Sequence, residues 1–548
     1  MAELTQNRLK TGYYHSNFLT LINFVHKQYE DILKKEEKLF IKKFKKLPRP
    51  AAMLYVRLIS RSAPLFRLDK LNYPEIKDMM GAAKVLAKEG FLVIDGDWEL
   101  EEQLRLFTKP DLIDFLKSLE VNAKTSWSRS EAVEEVEAYY ESDFLDWVNK
   151  DHTTLLPLGE EIVLLFRLLF FGNLEQTLSD FILEDIGVLR YEKYRTTKKD
   201  RFFDNRKVID ETYKLIELQG ELYFAREAGD EYEVEDLMKQ VLKIKSKPLK
   251  RKKEKLCRMA GQFFEKQKDF ERALYYYKKS SLPPARERAV RVLDKLGEEK
   301  KALSLCEKIG RDPIDDSEKD FFLMYREKLK RKLGKEYKKQ EREVFYTEEL
   351  KVPNPKGIKI EPWTLAQIEK TGLKGFYVEN YLWTSLFGLI FWDIIFKSKP
   401  GVFYNPFQRG PNDLYSEDFY LSRKSEIDKR IKWIGNKDWA NKVLDIYDKK
   451  KLTANYLVRW KQVKKSDIKK VLSKVPSEHI QAVMERMSKS LRHHSAGFPD
   501  LFTYHPRKKE YCLVEVKGPG DQLQQSQKRW LRYFKERQIP CKVLKVVY

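Results

Sequence analysis

Near the C-terminus, Gly497-Phe498-Pro499-Asp500 runs into two short apolar stretches separated by Pro506-Arg507-Lys508-Lys509. Residues 500–505 read as one strand, 506–509 as a turn and 510–517 as the returning strand. Alternate side chains of a strand share a face, so Tyr511, Leu513, Glu515 and Lys517 point one way and Cys512, Val514 and Val516 the other. The charged pair Glu515 and Lys517, two residues apart, interrupts the apolar pattern at one spot. Asp500 can reach that spot from the neighbouring strand.

Two carboxylates and a lysine at one point suit phosphodiester hydrolysis. That reaction needs an activated water and neutralisation of charge on the phosphate. Hard oxygen ligands hold Mg²⁺ or Mn²⁺ and leave positions open for water and substrate. Asp500, Glu515 and the backbone carbonyl of Val516 can provide such ligands. Lys517 can orient or help deprotonate the attacking water. An isolated E-x-K is more often an exposed surface pair. Here the Pro-Asp, the hairpin, the E-V-K and a following helix occur together.

The segment 497–530 resembles the VRR-NUC branch of the PD-(D/E)xK nucleases. The likeness runs through Glu515-Val516-Lys517-Gly518-Pro519-Gly520-Asp521-Gln522-Leu523 to Gln527 and Trp530. In particular it resembles the Fanconi-associated nuclease family. That family carries a further glutamate on a helix ahead of the core, followed by an apolar run ending W-D-I-I-F. Here Tyr377-Val378-Glu379-Asn380 precedes Leu386–Phe396 with Trp392-Asp393-Ile394-Ile395-Phe396. The resemblance therefore implies that Glu379 is an additional metal ligand. The family usually has glycine after this glutamate, and Asn380 departs from that. The likeness is specific over residues 373–548.

The net charge of +23 suits a polyanionic partner, and nucleic acid leads. A membrane surface is disfavoured. Residues 382–396 are too short to span a bilayer and contain Asp393, and Met1–Gln6 lacks a signal peptide's apolar stretch. The four cysteines, Cys257, Cys306, Cys512 and Cys541, form no CxxC pair. Neither a zinc site nor a disulfide framework is supported, which fits an intracellular setting: the cytoplasm or nucleoid of a bacterium, or the nucleus of a eukaryote.

Four regions are expected. Residues 1–105 read as helices, over 17–45 and from Met53, Lys70 and Ala82, ending in Phe91-Leu92-Val93-Ile94 with Asp95-Gly96 as a hairpin turn. This is a winged-helix-like pattern, used for DNA and for protein contacts alike. Residues 106–150 resemble a SAP motif. Thr108 caps a helix with Leu112, Phe115 and Leu116 inward, and Ser128 with Glu131 forms a capping box for a second. The N-terminus of that second helix, with Lys124 and Arg129 close by, favours a phosphate. Residues 151–345 read as all-helical and TPR-like, with Gly261, Phe264, Ala273 and Tyr277 at interlocking spacing. Basic runs over 243–258 and 326–332 either line a DNA path or face solvent. Arg288 is similar to an arginine that relatives place near a DNA 5′ phosphate, and a structural role is equally open. Residues 346–548 are the nuclease. There Gln527, one turn before Trp530, can support the metal site or a phosphate. His493 and His494 either approach DNA or end a solvated helix.

The expected fold is thus a multidomain, mostly α chain with a C-terminal α/β restriction-endonuclease-like core. The resemblance implies a structure-specific nuclease with Mg²⁺ or Mn²⁺. It would cut DNA with 5′ flaps or branched junctions, with 5′-to-3′ exonuclease action, in repair that includes interstrand crosslinks. A non-catalytic branched-DNA scaffold and a sequence-specific endonuclease on the same fold are the alternatives. No membrane and no particular protein partner is implied.

Overall fold

The computed structural model describes residues 11–61, 63–176, 190–339, 343–353 and 357–548. Met1–Gln6 lies outside them. The chain divides into two units: residues 1–190 with 196–199, and 191–195 with 200–548.

In the first unit, helices Tyr13–Tyr29, Lys35–Phe44 and Arg49–Ile59 enclose a core of packed aromatic rings. Phe18, Phe40, Phe44, Tyr55, Phe91 and Phe166 meet there. The single helix expected over 17–45 is broken at Leu33-Lys34. The Glu37 carboxylate accepts from the Lys34 backbone N–H at 2.7 Å and starts a new helix. No helix forms over 70–76 either. A single 3-10 turn, Leu68–Lys70, is followed by extended Leu71, and Pro74 lacks the N–H a helix interior needs.

A three-stranded antiparallel sheet of β1 (Phe66–Arg67), β2 (Leu92–Ile94) and β3 (Thr154–Pro157) has the order β1-β3-β2. Asp95-Gly96 is therefore not a tight hairpin. β2 ends at Ile94, just before Asp95 at φ 50°, but its partner is the distant β3, in the register Ile94↔Leu155. The Asp95 carboxylate accepts from the Thr154 backbone N–H at 2.7 Å and closes the pair across the gap. Between β2 and β3 lie helices Leu100–Leu104, Lys109–Ser118, Arg129–Tyr139 and Glu141–Asp151. They share a core of Phe107, Leu112, Phe115, Leu116, Val136 and Phe144. The helix pair Lys109–Ser118 and Arg129–Tyr139 is thus inserted between two paired strands.

The second unit begins with antiparallel helices from Arg206–Ala228 to Asp316–Lys332. Phe264, Ala273 and Tyr277 are buried among them, with the Tyr277 ring against Gly261. The nuclease sheet comprises β4 (Thr347–Lys351), β5 (Lys374–Tyr377), β6 (Leu501–Tyr504), β7 (Tyr511–Lys517) and β8 (Cys541–Val547). Its order is β4-β8-β7-β6-β5. β6 is antiparallel to β5 and β7, and β8 runs parallel to β7 and β4.

The alternation read along residues 511–517 holds. Tyr511 and Leu513 enter a large core with Leu382, Trp383, Phe498, Trp530 and Phe534. Val514 and Val516 pack on the other face with Leu501, Leu544 and Val546. Helix Glu379–Ile390 lies on the first face, and its apolar residues Leu382–Ile390 are buried. Among the described residues, no helix is long and apolar enough to cross a membrane.

Candidate active site

Asp500 precedes β6 by one residue, and its position is fixed from three sides. Its Oδ2 accepts from the Val516 backbone N–H at 2.9 Å. Its carbonyl accepts from the N–H groups of Val378 (2.8 Å) and Glu379 (3.2 Å). These bonds set the first residue of helix Glu379–Ile390 beside the aspartate, and Glu379 takes up a left-handed φ of 34°. The turn before Asp500 needs glycine at 497. With φ 91° there, a Cβ would stand 2.6 Å from the Ser526 carbonyl carbon.

Asn380 holds the same turn. Its Oδ1 accepts from the N–H groups of Gly497 (2.8 Å) and Phe498 (3.2 Å). The departure from glycine at this position thus has a structural counterpart.

Glu515, in the middle of the sheet, is 1% exposed. Its Oε1 receives Gln527 Nε2 at 2.5 Å and Lys517 Nζ at 2.9 Å. Its Oε2 is buried without a partner. Burial, joined by the negative charges of Asp500 and Glu379, pushes the Glu515 carboxyl up to about 7 against the pull of Lys517. Burial likewise lifts Asp500 to about 6, with Glu361 and Glu379 adding to it and the Val516 N–H and Lys517 opposing.

Two anionic groups crowded into a low-dielectric spot, one with an orphaned oxygen, are poised to take up a cation. The donor set is all hard oxygen, as Mg²⁺ or Mn²⁺ requires. Among the described residues, however, no three Asp, Glu, His or Cys side chains converge in ready ligating geometry. The hydrogen bonds give the reason. Glu379 is turned onto the Tyr377 hydroxyl at 2.6 Å and the Asn380 amide at 3.3 Å, and Glu515 onto Gln527 and Lys517.

Of the residues singled out in the sequence, Glu379, Asp500, Glu515, Val516, Lys517 and Gln527 are brought together. Gln527 reaches Glu515 from helix Gln525–Glu536, whose first turn it also caps by accepting from the Gln524 N–H at 2.8 Å. Arg288 lies in the helical layer and donates to Glu265 at 3.1 Å. Arg129, in the first unit, donates to the carbonyls of Leu104 (2.8 Å) and Phe107 (3.3 Å). Lys124 is exposed. His493 and His494 do close a short helix, Leu491–His494, but its end is not solvated, the two side chains being 24% and 12% exposed. They sit 3.3 Å from Asp315 and 3.1 Å from Asp316, joining the helical layer to the segment that leads to Gly497.

Sequence reading missed Glu361, whose charge acts on Asp500, and Tyr377, which holds Glu379. Tyr377 stood two residues before a suspected ligand. Glu361 carried no local signal.

Residues 436–548 match the VRR-NUC domain family, and residues 12–93 match the family described as FAN1, HTH domain. The chain is 28% identical to a Fanconi-associated nuclease 1 homolog of Pseudomonas aeruginosa, over 97% of this chain and 95% of that protein. It is 26% identical to a homolog from Arabidopsis thaliana, over 98% of this chain and 67% of that one. The crystal structure of paFAN1 bound to 2-nt 5′-flap DNA with a gap superposes with a TM-score of 0.85 at 28% identity, covering 98% of each chain. A second paFAN1 structure, with a 1-nt 5′ flap, gives a TM-score of 0.81 over 98% of this chain and 99% of that one.

Proposed function

This chain belongs to the Fanconi-associated nuclease family, and from that premise we propose that it hydrolyses DNA at 5′ flaps and branched junctions. Exonuclease action from the 5′ end and a part in repair, interstrand crosslinks included, belong to the same reading. So does a place beside the chromosome, in the nucleoid of a bacterium. The observation that carries it is the buried, unpartnered Oε2 of Glu515, set between Asp500 and Lys517 at the end of β7.

Glu379, Asp500, Glu515 and the Val516 carbonyl would hold Mg²⁺ or Mn²⁺, which when bound sets positive charge against the scissile phosphate and acidifies water. The remaining work falls to the chain's own groups. The Val516 N–H keeps Asp500 in one rotamer, and the Gln527 amide does the same for Glu515. Lys517, only 12% exposed and held by Glu515, orients the attacking water, assists its deprotonation and offsets charge developing on the phosphate. Lys124 is available for a backbone phosphate, a contact that positions DNA without reading sequence.

The test is a panel of end-labelled 5′ flaps, branched junctions and plain duplexes, with DNA and RNA flaps, in Mg²⁺, Mn²⁺ or EDTA. Cutting of flaps that EDTA abolishes and that ignores sequence is expected. Binding without cutting in every metal would leave a scaffold, and cutting confined to one duplex sequence would leave a sequence-specific endonuclease.

A further inference from the structure

Beside the carboxylate centre lies a cavity of about 290 Å³ that none of the steps above uses. Glu379, Tyr381, Tyr415, Tyr456, Arg459 and Gln462 line it. Tyr415 and Tyr456 are 39% and 47% exposed, and Arg459 makes no ion pair among the described residues. Its wall is therefore aromatic and polar, with an available guanidinium on one side and a proposed metal ligand on the other.

Tyr456 and Arg459 ride on the segment 453–460, which is folded on itself and fastened to the helix that starts at Glu379. The Asn455 side chain accepts from the Leu457 N–H at 2.9 Å, and Trp460 Nε1 donates to the Thr453 carbonyl at 2.7 Å. Ser385 Oγ accepts from the Arg459 N–H at 3.1 Å and donates to the Leu457 carbonyl at 3.4 Å. Gly388 permits the close approach, since a Cβ there would come within 2.7 Å of Val458 Cγ2. Side chains carried this way keep a fixed distance from Glu379, as a substrate-positioning element must.

We propose that this cavity is a nucleotide subsite for the strand being cut. It receives one unpaired nucleotide next to the scissile phosphate, with its base on Tyr456 and a phosphate on Arg459. This rests on the nuclease reading and deepens it. Every base offers a π-face, so stacking tolerates any sequence while demanding a base that is out of the duplex. The subsite selects unpaired structure over sequence, and its place beside Glu379 sets the cut close to where the duplex opens.

The test uses the full chain and a set of 5′-flap DNAs, each lacking one base at a different nucleotide on either side of the cut. Single-turnover cutting in Mg²⁺ and fluorescence-anisotropy binding in EDTA are both read. Wild type is expected to lose about tenfold at one abasic position, as loss of one stacked base implies. Tyr456→Ala should lose about as much on intact DNA and nothing further at that position, and Tyr456→Phe should match wild type. Arg459→Ala should weaken binding to all substrates and reduce the salt slope by about one phosphate contact.

Indifference of wild type to base loss at every position overturns the subsite, as does an abasic loss that multiplies with Tyr456→Ala. If Tyr456→Ala melts early, the wild-type abasic series still decides. Failure to cut any flap in either metal would instead strike the nuclease reading itself.

Discussion

Glu318 in the helical layer and Glu515 in the nuclease sheet are both almost wholly buried, at 0% and 1% exposure. Their surroundings are opposite. Glu318 binds Arg286 through both oxygens, with its Oε1 2.9 Å from Arg286 Nε, and its Oε2 also accepts from the Ile314 N–H at 2.7 Å. Glu515 shares a single oxygen between an amide and an ammonium and leaves the other without a donor. The layer cancels its charges internally in several places: Lys328 and Lys332 close on Asp294, and Arg288 on Glu265. The middle of the nuclease sheet keeps a deficit of positive charge. Buried charge that is satisfied within the chain is structural, and buried charge left over points to a partner from outside.

Glu287 bounds that contrast. It lies in the layer with Oε1 buried and unpartnered, and burial together with Asp315 and Glu318 raises its carboxyl to about 7. It is raised as far as Glu515 is, but it has no lysine two residues away on a shared strand face.

The largest test alters the charge balance at the sheet from either side. Asp500→Ala and Lys517→Ala should each slow flap cutting by about a thousandfold, within the range for loss of acid–base and charge-stabilising groups. Flap binding in EDTA should stay within about twofold. Wild-type turnover from either variant would break the comparison at its functional end.

Next comes the satisfied glutamate. Glu318→Ala strands Arg286 and should lower stability by about 3 kcal/mol in urea unfolding. The rate per folded molecule should remain that of wild type. A large loss of rate with unchanged stability would show the helical layer to be part of the chemistry.

Gln527→Ala should raise the Mg²⁺ concentration for half-maximal cutting by about tenfold, since it frees the rotamer of the proposed ligand Glu515. The same requirement should fall as pH rises from 6 to 8, because Asp500 and Glu515, raised to about 6 and about 7, lose the protons that compete with the cation. A metal titration of cutting at several pH values reads both effects.

Glu287→Gln should raise stability at pH 7 relative to wild type, because the amide keeps the uncharged form that burial favours. A carboxyl raised when folded stabilises most below its unfolded value near 4.5, and that contribution is lost as pH climbs through about 7. Thermal melting between pH 5 and 8 should therefore fall less steeply for the variant than for wild type. Equal slopes would place the deficit elsewhere.

The nuclease hairpin was legible because strand alternation is a two-residue rule. Tyr511, Leu513 and Glu515 share a face whatever the rest of the chain does. Capping was legible for the same reason, since Ser128 and Glu131 meet within one turn, at 2.5 Å and 3.1 Å. Glu379 was reached through family likeness, as no local pattern around it marks a ligand. The wing was misread because Asp95-Gly96 reports a strand end and not where the next strand lies. His493 and His494 were misread because Asp315 and Asp316 are far away in sequence.

Residue order by itself therefore determined the β6–β7 pair and the grouping of Asp500, Glu515 and Lys517, consequences of strand alternation across one short turn, while the nuclease core was read through family likeness. Tertiary structure alone decided that Glu515 is sealed with an orphaned oxygen, that Asn380 ties Glu379 to the turn at Gly497, and that segment 453–460 brings Tyr456 and Arg459 beside them. Burial and long-range hydrogen bonding depend on everything packed around a group, and no short window of sequence contains that information.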